Sequence, residues 1–259
     1  MNKARGSILF SATLLPVDYY KSLLCREEEP YAVYAKTCFP TEHLKVLVGR
    51  DTSSRYTRRT KEEYQRIASY IVHVASGKKG NYMVFFSSYK MMEETREILQ
   101  WELPAGYDLL CQSSGMDEKS REDFLHAFSE NKENGLIGMC VMGSYFGEGI
   151  DLKHDRLIGV IVVGTALPMV CTQREILRQY YESRGEDGFR FAYLAPGMNK
   201  VMQAVGRVIR TEEDKGIAVL LDERFAQSGY RSMFPREWEG YQYCTLADVD
   251  RKLENFWNQ

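Results

Sequence analysis

Two apolar periods alternate along this chain, and few folds accept both. Short β-rich runs occur at Ser7–Leu14, Tyr82–Ser87, Leu136–Met142, Leu157–Gly164 and Ile217–Leu221, each bounded by turn-forming residues as strands are. Between them the apolar residues fall three and four apart. Tyr64, Ile67, Ala68, Ile71, Val74 and Ala75 predict an amphipathic helix over about 61–76, with its apolar stripe on a sheet. A second helix is expected over about 89–100, and a third opens at Asp117 and runs through Phe124, Leu125 and Phe128. The run from Ile158 to Val163 is continuously apolar, which is what a strand covered on both faces of a parallel sheet requires. The expected class is α/β, a doubly wound parallel sheet with helices on both faces. Segments 25–45 and 183–188 read as connections, and no internal repeat or low-complexity tract occurs.

Length and charge narrow what such a sheet does. At 259 residues the chain amounts to about 1.7 average domains. Its 34 Lys and Arg against 36 Asp and Glu give a net charge of −2, which excludes binding of nucleic acid by bulk charge. A local groove stays open: between Lys45 and Arg66 seven bases face three acids, an excess that suits a single strand, with Tyr56 available for stacking, or else a solvated loop and helix start. The amino-terminal apolar stretch is interrupted by Ser11, Thr13 and Pro16, and no run of 18 apolar residues exists, so a soluble, cytoplasmic protein without a membrane partner is expected. Six cysteines without a CxxC pair and four histidines predict reduced thiols and no metal site.

Three segments carry chemistry. On a helix through Val201–Arg210, the residues Gln203, Gly206, Arg207 and Arg210 fall within about a 100° arc opposite Val201, Ala204, Val205, Val208 and Ile209. Two arginines one turn apart suit a phosphate, or are a solvated face. A glycine between them costs an exposed helix interior about 1 kcal/mol relative to alanine, which weighs against the plain solvated face. The second segment, Gly143 through Asp151 (GSYFGEGID), follows the strand LIGMCVM, where open α/β sheets bind ligands; it is either an anion-binding loop or a tight turn. The third is Ser87-Ser88 between a strand and a helix, a phosphate site at the helix amino terminus or a helix cap. No GxxxxGK[ST] phosphate loop is present.

In order and spacing, SATL (11–14), VFFSSY (84–89), GSYFGEGIDL (143–152) and QAVGRVIR (203–210) resemble helicase motifs III to VI of superfamily 2. The chain is most similar to the carboxy-terminal half of the DinG/XPD family of ATP-dependent DNA helicases. Arg55-Tyr56-Thr57-Arg58-Arg59 and the run from Gly216 through Tyr230 to Pro235 support that subfamily.

The resemblance implies a RecA-like domain over 16–259 and a motif III segment, 1–15, belonging to a first motor domain. It implies that Arg210 is an arginine finger on the γ-phosphate of ATP, with Arg207 and Gln203 beside it, and that Gly147, Glu148, Gly149, Asp151 and Gly206 border the nucleotide. Ser87, Ser88, Gly143, Ser144, Arg55, Arg58 and Arg59 would hold single-stranded DNA, while Ser11 and Thr13 couple hydrolysis to strand movement. Asp222 and Arg224 receive no role. The Walker A lysine, the acids that hold Mg2+ and the cysteines of any iron–sulfur cluster lie, in this family, in the amino-terminal half. The chain is therefore expected to need that half as a partner and to hold no ATP stably by itself. A non-catalytic RecA-like module that binds nucleic acid or protein is the alternative.

Overall fold

A computed structural model describes residues 7–11, 13–25, 30–128, 133–147, 152 and 154–258. Its centre is one sheet of seven strands: β1 (Leu44–Gly49), β2 (Asn81–Phe86), β3 (Tyr107–Cys111), β4 (Gly135–Val141), β5 (Gly159–Val163), β6 (Gly216–Leu221) and β7 (Gln242–Cys244). They lie in the order β3-β4-β2-β5-β6-β1-β7, and every neighbouring pair is parallel. β2, β5 and β6 are buried along their whole length, so both faces must be covered. Successive side chains on a strand point to opposite faces. Val46, Met83, Phe85, Val160, Val162 and Ala218 accordingly join one apolar cluster, and Leu47, Tyr82, Val84, Ile161 and Val219 join the other.

Four of the five expected strands exist, as β2, β4, β5 and β6. The run at 7–14 does not form a strand among the described residues; Ile8 and Phe10 are 89% and 91% exposed. High β propensity yields no strand without an edge to pair with. β1, β3 and β7 are additions to the expected set. β3 exposes Asp108 and buries only Tyr107 fully, and β7 has three residues, too few for a periodic signal.

On one face lie α2 (Lys61–Gly77), α3 (Tyr89–Glu102) and α8 (Val249–Trp257). The six residues that predicted α2 are all buried. Thr60 caps it by accepting from the Glu63 amide at 3.3 Å, satisfying one of the amides that a helix start leaves unpaired. The opposite face carries α1 (Val17–Leu24), α4 (Glu118–His126), α5 (Thr172–Glu182), α6 (Ala195–Val205) and α7 (Ser228–Arg231), with one π-helical turn at Arg190–Leu194 leading into α6. Asp117 caps α4 through the Ser120 amide at 2.8 Å.

The helix expected through Val201–Arg210 ends early. α6 stops at Val205, Gly206 is its carboxyl cap, and Arg207 and Arg210 lie in the turns that follow. The cause is Asp214, whose Oδ2 accepts from the amides of Arg210 at 2.6 Å and Thr211 at 2.7 Å. A side-chain carboxylate that takes up backbone amides competes with helical hydrogen bonds. The apolar half of the pattern holds: Val201, Ala204, Val205 and Val208 are buried.

α6 crosses the sheet at close range because of Gly197. A Cβ built there would lie 2.8 Å from the Thr165 carbonyl oxygen, a backbone atom that cannot swing aside. Gly197→Ala should lower the unfolding free energy by about 1–3 kcal/mol, read from urea denaturation. Gly206→Ala, where the tightest contact is 3.2 Å and the residue is exposed, should cost less; equal costs would show that α6 is not seated through Gly197.

Candidate functional site

Since all strands run the same way, their carboxyl ends fall on one edge, and so do the residues that follow them. Across that edge come Gly143 and Ser144 after β4, Ser87 and Ser88 after β2, Gly164 after β5, Asp222 after β6, and Thr52, Ser53 and Ser54 beyond β1. The row is continuous. The Met142 amide donates to the Phe86 carbonyl at 2.8 Å and the Gly164 amide to Leu221 at 3.1 Å. A Cβ on Gly164, which takes φ 93°, would meet Ser54 Oγ at 2.6 Å and Ser87 Oγ at 3.2 Å. Only glycine lets the two serines approach from both sides.

Asp222, fully buried, organises the β1 side. Its carboxylate accepts from the Ser54 amide at 2.9 Å and the Ser54 hydroxyl at 2.6 Å. It also accepts from Arg224 Nε and Nη2, both at 2.8 Å, while Nη2 donates to Ser54 Oγ at 2.7 Å. Burial alone pushes this carboxyl up; the hydrogen bonds and charge of Arg224, with Ser54, outweigh it and hold the pKa below the ordinary value. The segment is pinned further by the Ser53 amide donating to buried Glu63 and the Glu223 amide donating to Thr52 at 2.8 Å. Neither Asp222 nor Arg224 was assigned a role from sequence, although an acid directly after a buried strand is a usable signal.

The basic segment is smaller than its composition suggests. Arg55, Arg58 and Arg59 follow the carboxyl end of β1, whereas Lys45 lies near its amino end, so the seven bases do not share one surface. Glu223 pairs with Arg55 at 3.5 Å and Arg58 at 3.4 Å. Arg59 donates to the Ser54 carbonyl at 3.1 Å and lies over the ring of Tyr56, which is 86% exposed.

On the β2 side, Ser88 caps α3, accepting from the Met91 amide at 3.3 Å; the capping alternative is therefore realised. Ser87 donates only to the Met91 sulfur at 3.7 Å. After β4, Gly143 takes φ 76°, and a 3-10 turn spans Tyr145–Gly147. Phe146 anchors this turn, fully buried with its ring 4.3 Å from that of Phe124. Glu148, Gly149 and Asp151 lie outside the described residues. Ser11 and Thr13 make only a local turn, with the Thr13 amide donating to Ser11 Oγ at 3.2 Å.

The arginines sit at the other end of α6. Gly197, early in the helix, touches the loop after β5, whereas Val208, beyond its end, packs on Gly216 at the start of β6. Nine residues of helix separate Gly197 from Gly206, roughly 13 Å along the axis. Arg207 is buried, Arg210 and Gln203 are half-buried, and Gly206 is exposed. Gly206 has φ −63°, so its backbone does not require glycine. Buried Asp214 shapes this end, since its Oδ1 also accepts from the His154 amide at 3.1 Å; sequence reasoning passed over it. Burial pushes the Cys111 thiol up to about 11 and that of Cys244 to about 12, so neither is a nucleophile. Among the described residues no cluster of His, Cys, Asp and Glu is arranged to hold a metal ion, and no helix is long and apolar enough to cross a membrane.

Comparison with known proteins yields one consistent set. The helicase C-terminal domain family matches residues 71–241. The ATP-dependent DNA helicase XPD of Sulfolobus acidocaldarius is 31% identical over 185 residues, 70% of this chain and 32% of that protein. The 3'-5' exonuclease DinG of Bacillus subtilis is 25% identical over 235 residues, 88% of this chain and 23% of that protein. An XPD helicase structure superposes with a TM-score of 0.62 at 23% identity, over 78% of this chain and 35% of that one, which agrees with a RecA-like sheet. The chain thus spans about a third or less of the length of these relatives.

Asp222→Asn leaves half-buried Arg224 without its countercharge at a fully buried position and should lower the unfolding free energy at pH 7 by up to about 3 kcal/mol. Because the folded carboxyl titrates below its unfolded value, its contribution is complete above about pH 4. It is lost as pH falls through the folded pKa. Urea denaturation of both proteins across pH should show the gap closing on the acid side; a gap independent of pH would refute the ion-pair account.

Proposed function

Because the chain belongs to the helicase C-terminal domain family, we propose that it is the second motor half of a DinG/XPD-type ATP-dependent DNA helicase. In this reading it holds single-stranded DNA along the carboxyl edge of its sheet and lends arginines to an ATP site at the far end of α6. The observation that carries the proposal is spatial. Ser54, Ser87, Ser88, Gly143 and Ser144, separated by up to 90 positions in sequence, stand in one row, and Arg207 and Arg210 stand apart from it.

Chemically, the row suits a phosphodiester backbone. The Ser88 hydroxyl accepts from its cap and keeps its own hydrogen to donate, and Ser87 gives up only a weak sulfur acceptor. Arg55 and Arg58 share one carboxylate between them, so positive charge remains for phosphate. Such contacts position a strand without reading its bases. At the other end, Arg207, Arg210 and exposed Gly206 fit a nucleotide's phosphates: the guanidiniums offer forked donors and the glycine admits close approach. ATP with Mg2+ would supply the anhydride whose cleavage drives movement. The chain's own part is to place positive charge where negative charge develops during phosphoryl transfer. The phosphate loop and the metal-holding acids would come from an amino-terminal half, to which residues 1–15 also belong in this reading.

The purified chain should show no DNA-stimulated ATP turnover. Joined to an amino-terminal half carrying a phosphate loop, it should gain turnover, and Arg210→Ala should then lose it by about 10³-fold or more with strand affinity nearly unchanged. Equal loss of both would refute the assignment of Arg210. Replacing Arg55, Arg58 and Arg59 by Gln should weaken single-strand binding and reduce its log–log salt slope by about 0.7 per lost phosphate contact. An unchanged slope would make this segment a solvated loop.

A further inference from the structure

The β4 end of the row holds a lysine and an aromatic ring to which no role has yet been given. Lys200 lies on α6 three residues after Gly197, on the same side of the helix. Its side chain runs against Gly143: a Cβ there would meet Nζ at 2.8 Å, Cε at 3.2 Å and Cδ at 3.5 Å. Gly143 is thus required twice, by its left-handed φ of 76° and by the space the lysine occupies. Lys200 is half-buried, yet among the described residues no carboxylate lies within ion-pairing distance of its ammonium. Among the described residues, the hydroxyl of the next residue, Ser144, is buried with no hydrogen-bond partner. A partly desolvated ammonium and a donor hydroxyl side by side at an exposed edge suit an anionic ligand.

Beside them stands Tyr145. Its ring is 52% exposed, the Arg121 guanidinium of α4 lies 5.1 Å from its centroid, and buried Phe146 fixes the turn that presents it. An exposed ring on a turn anchored by buried Phe146, backed by a guanidinium, is a platform for stacking a base.

We infer that Lys200 and Tyr145 form an additional nucleotide-binding step at the β4 end of the row: Lys200 takes a phosphate of a single strand, and Tyr145, with Arg121 beneath it, stacks the adjoining base. The step rests on the proposed reading of the edge as a strand-binding surface and extends it with a lysine that lies three residues before the QAVGRVIR run and with the ring of Tyr145, to which the resemblance gives no role. Every base has a π face, so this step adds affinity without sequence preference.

The test is binding of fluorescently labelled oligo(dT) to the 259-residue chain across a salt series. Lys200→Gln should weaken binding and lower the salt slope by about 0.7; Lys200→Arg should restore the slope. Tyr145→Ala should weaken binding by about fivefold or more with the slope unchanged, and Tyr145→Phe, which keeps the ring, should bind as wild type does. Thermal unfolding of each variant separates these effects from misfolding. If the chain binds oligo(dT) and responds to loss of Arg55, Arg58 and Arg59 but not to Lys200→Gln or Tyr145→Ala, this step is wrong and the edge reading stands. If the wild-type chain does not bind oligo(dT), both fall.

Discussion

The row of candidate residues depends on the parallel direction of seven strands. A parallel ladder brings all carboxyl ends to one edge and forces each connection to cross a face and return. That single constraint gathers residues 52–54, 87–88, 143–144, 164 and 222 into a row, although they are dispersed over most of the sequence. It also fixes what lies at the opposite end. A helix that leaves the carboxyl edge must finish near the amino edge before the next strand begins, so α6 carries Arg207 and Arg210 away from the row.

The edge itself is held by charge that water does not reach. Asp222 loses its hydration on burial, a cost of several kcal/mol for an ion, and recovers it through five hydrogen bonds from Ser54 and Arg224. Such an arrangement is a weak source of net stability. Its effect is positional: it ties the segment after β1 to the end of β6 and sets Ser54 close against Gly164. The arginines at 55, 58 and 59 follow directly from this anchored segment.

Much of this was legible in the sequence. The near-continuous apolar runs gave β2, β4, β5 and β6 because those strands are buried on both faces, and the spacing through Tyr64 to Ala75 gave α2 because its stripe faces the sheet. Legibility failed where tertiary pairing decides. Ser7–Leu14 has strand composition and, among the described residues, no partner strand. β3 and β7 have partners and little pattern of their own. The end of α6 turned on Asp214, nine residues past Val205, whose carboxylate takes two amides that periodicity assigns to the helix. For the candidate site, the motif residues stand out in the sequence and their neighbours do not. Asp222, Asp214 and Lys200 are defined by what they touch, and a touch between residues 143 and 200 leaves no trace in local spacing.

The distribution of charge bears on how such an edge would hold a strand. With a net charge of −2 the molecule cannot retain nucleic acid by a general field, and the cations at the edge are individually tempered: Arg55 and Arg58 share Glu223, Arg59 is engaged by the Ser54 carbonyl and Tyr56, and Lys200 is partly desolvated beside Gly143. Each contact is modest, and a grip made of modest contacts can be released stepwise. In the proposed reading, α6 would be the physical link between strand and arginines: it is seated on backbone at Gly197 and against Gly216 through Val208, and one helix carries both Lys200 at the row and the turn that holds Arg207 and Arg210.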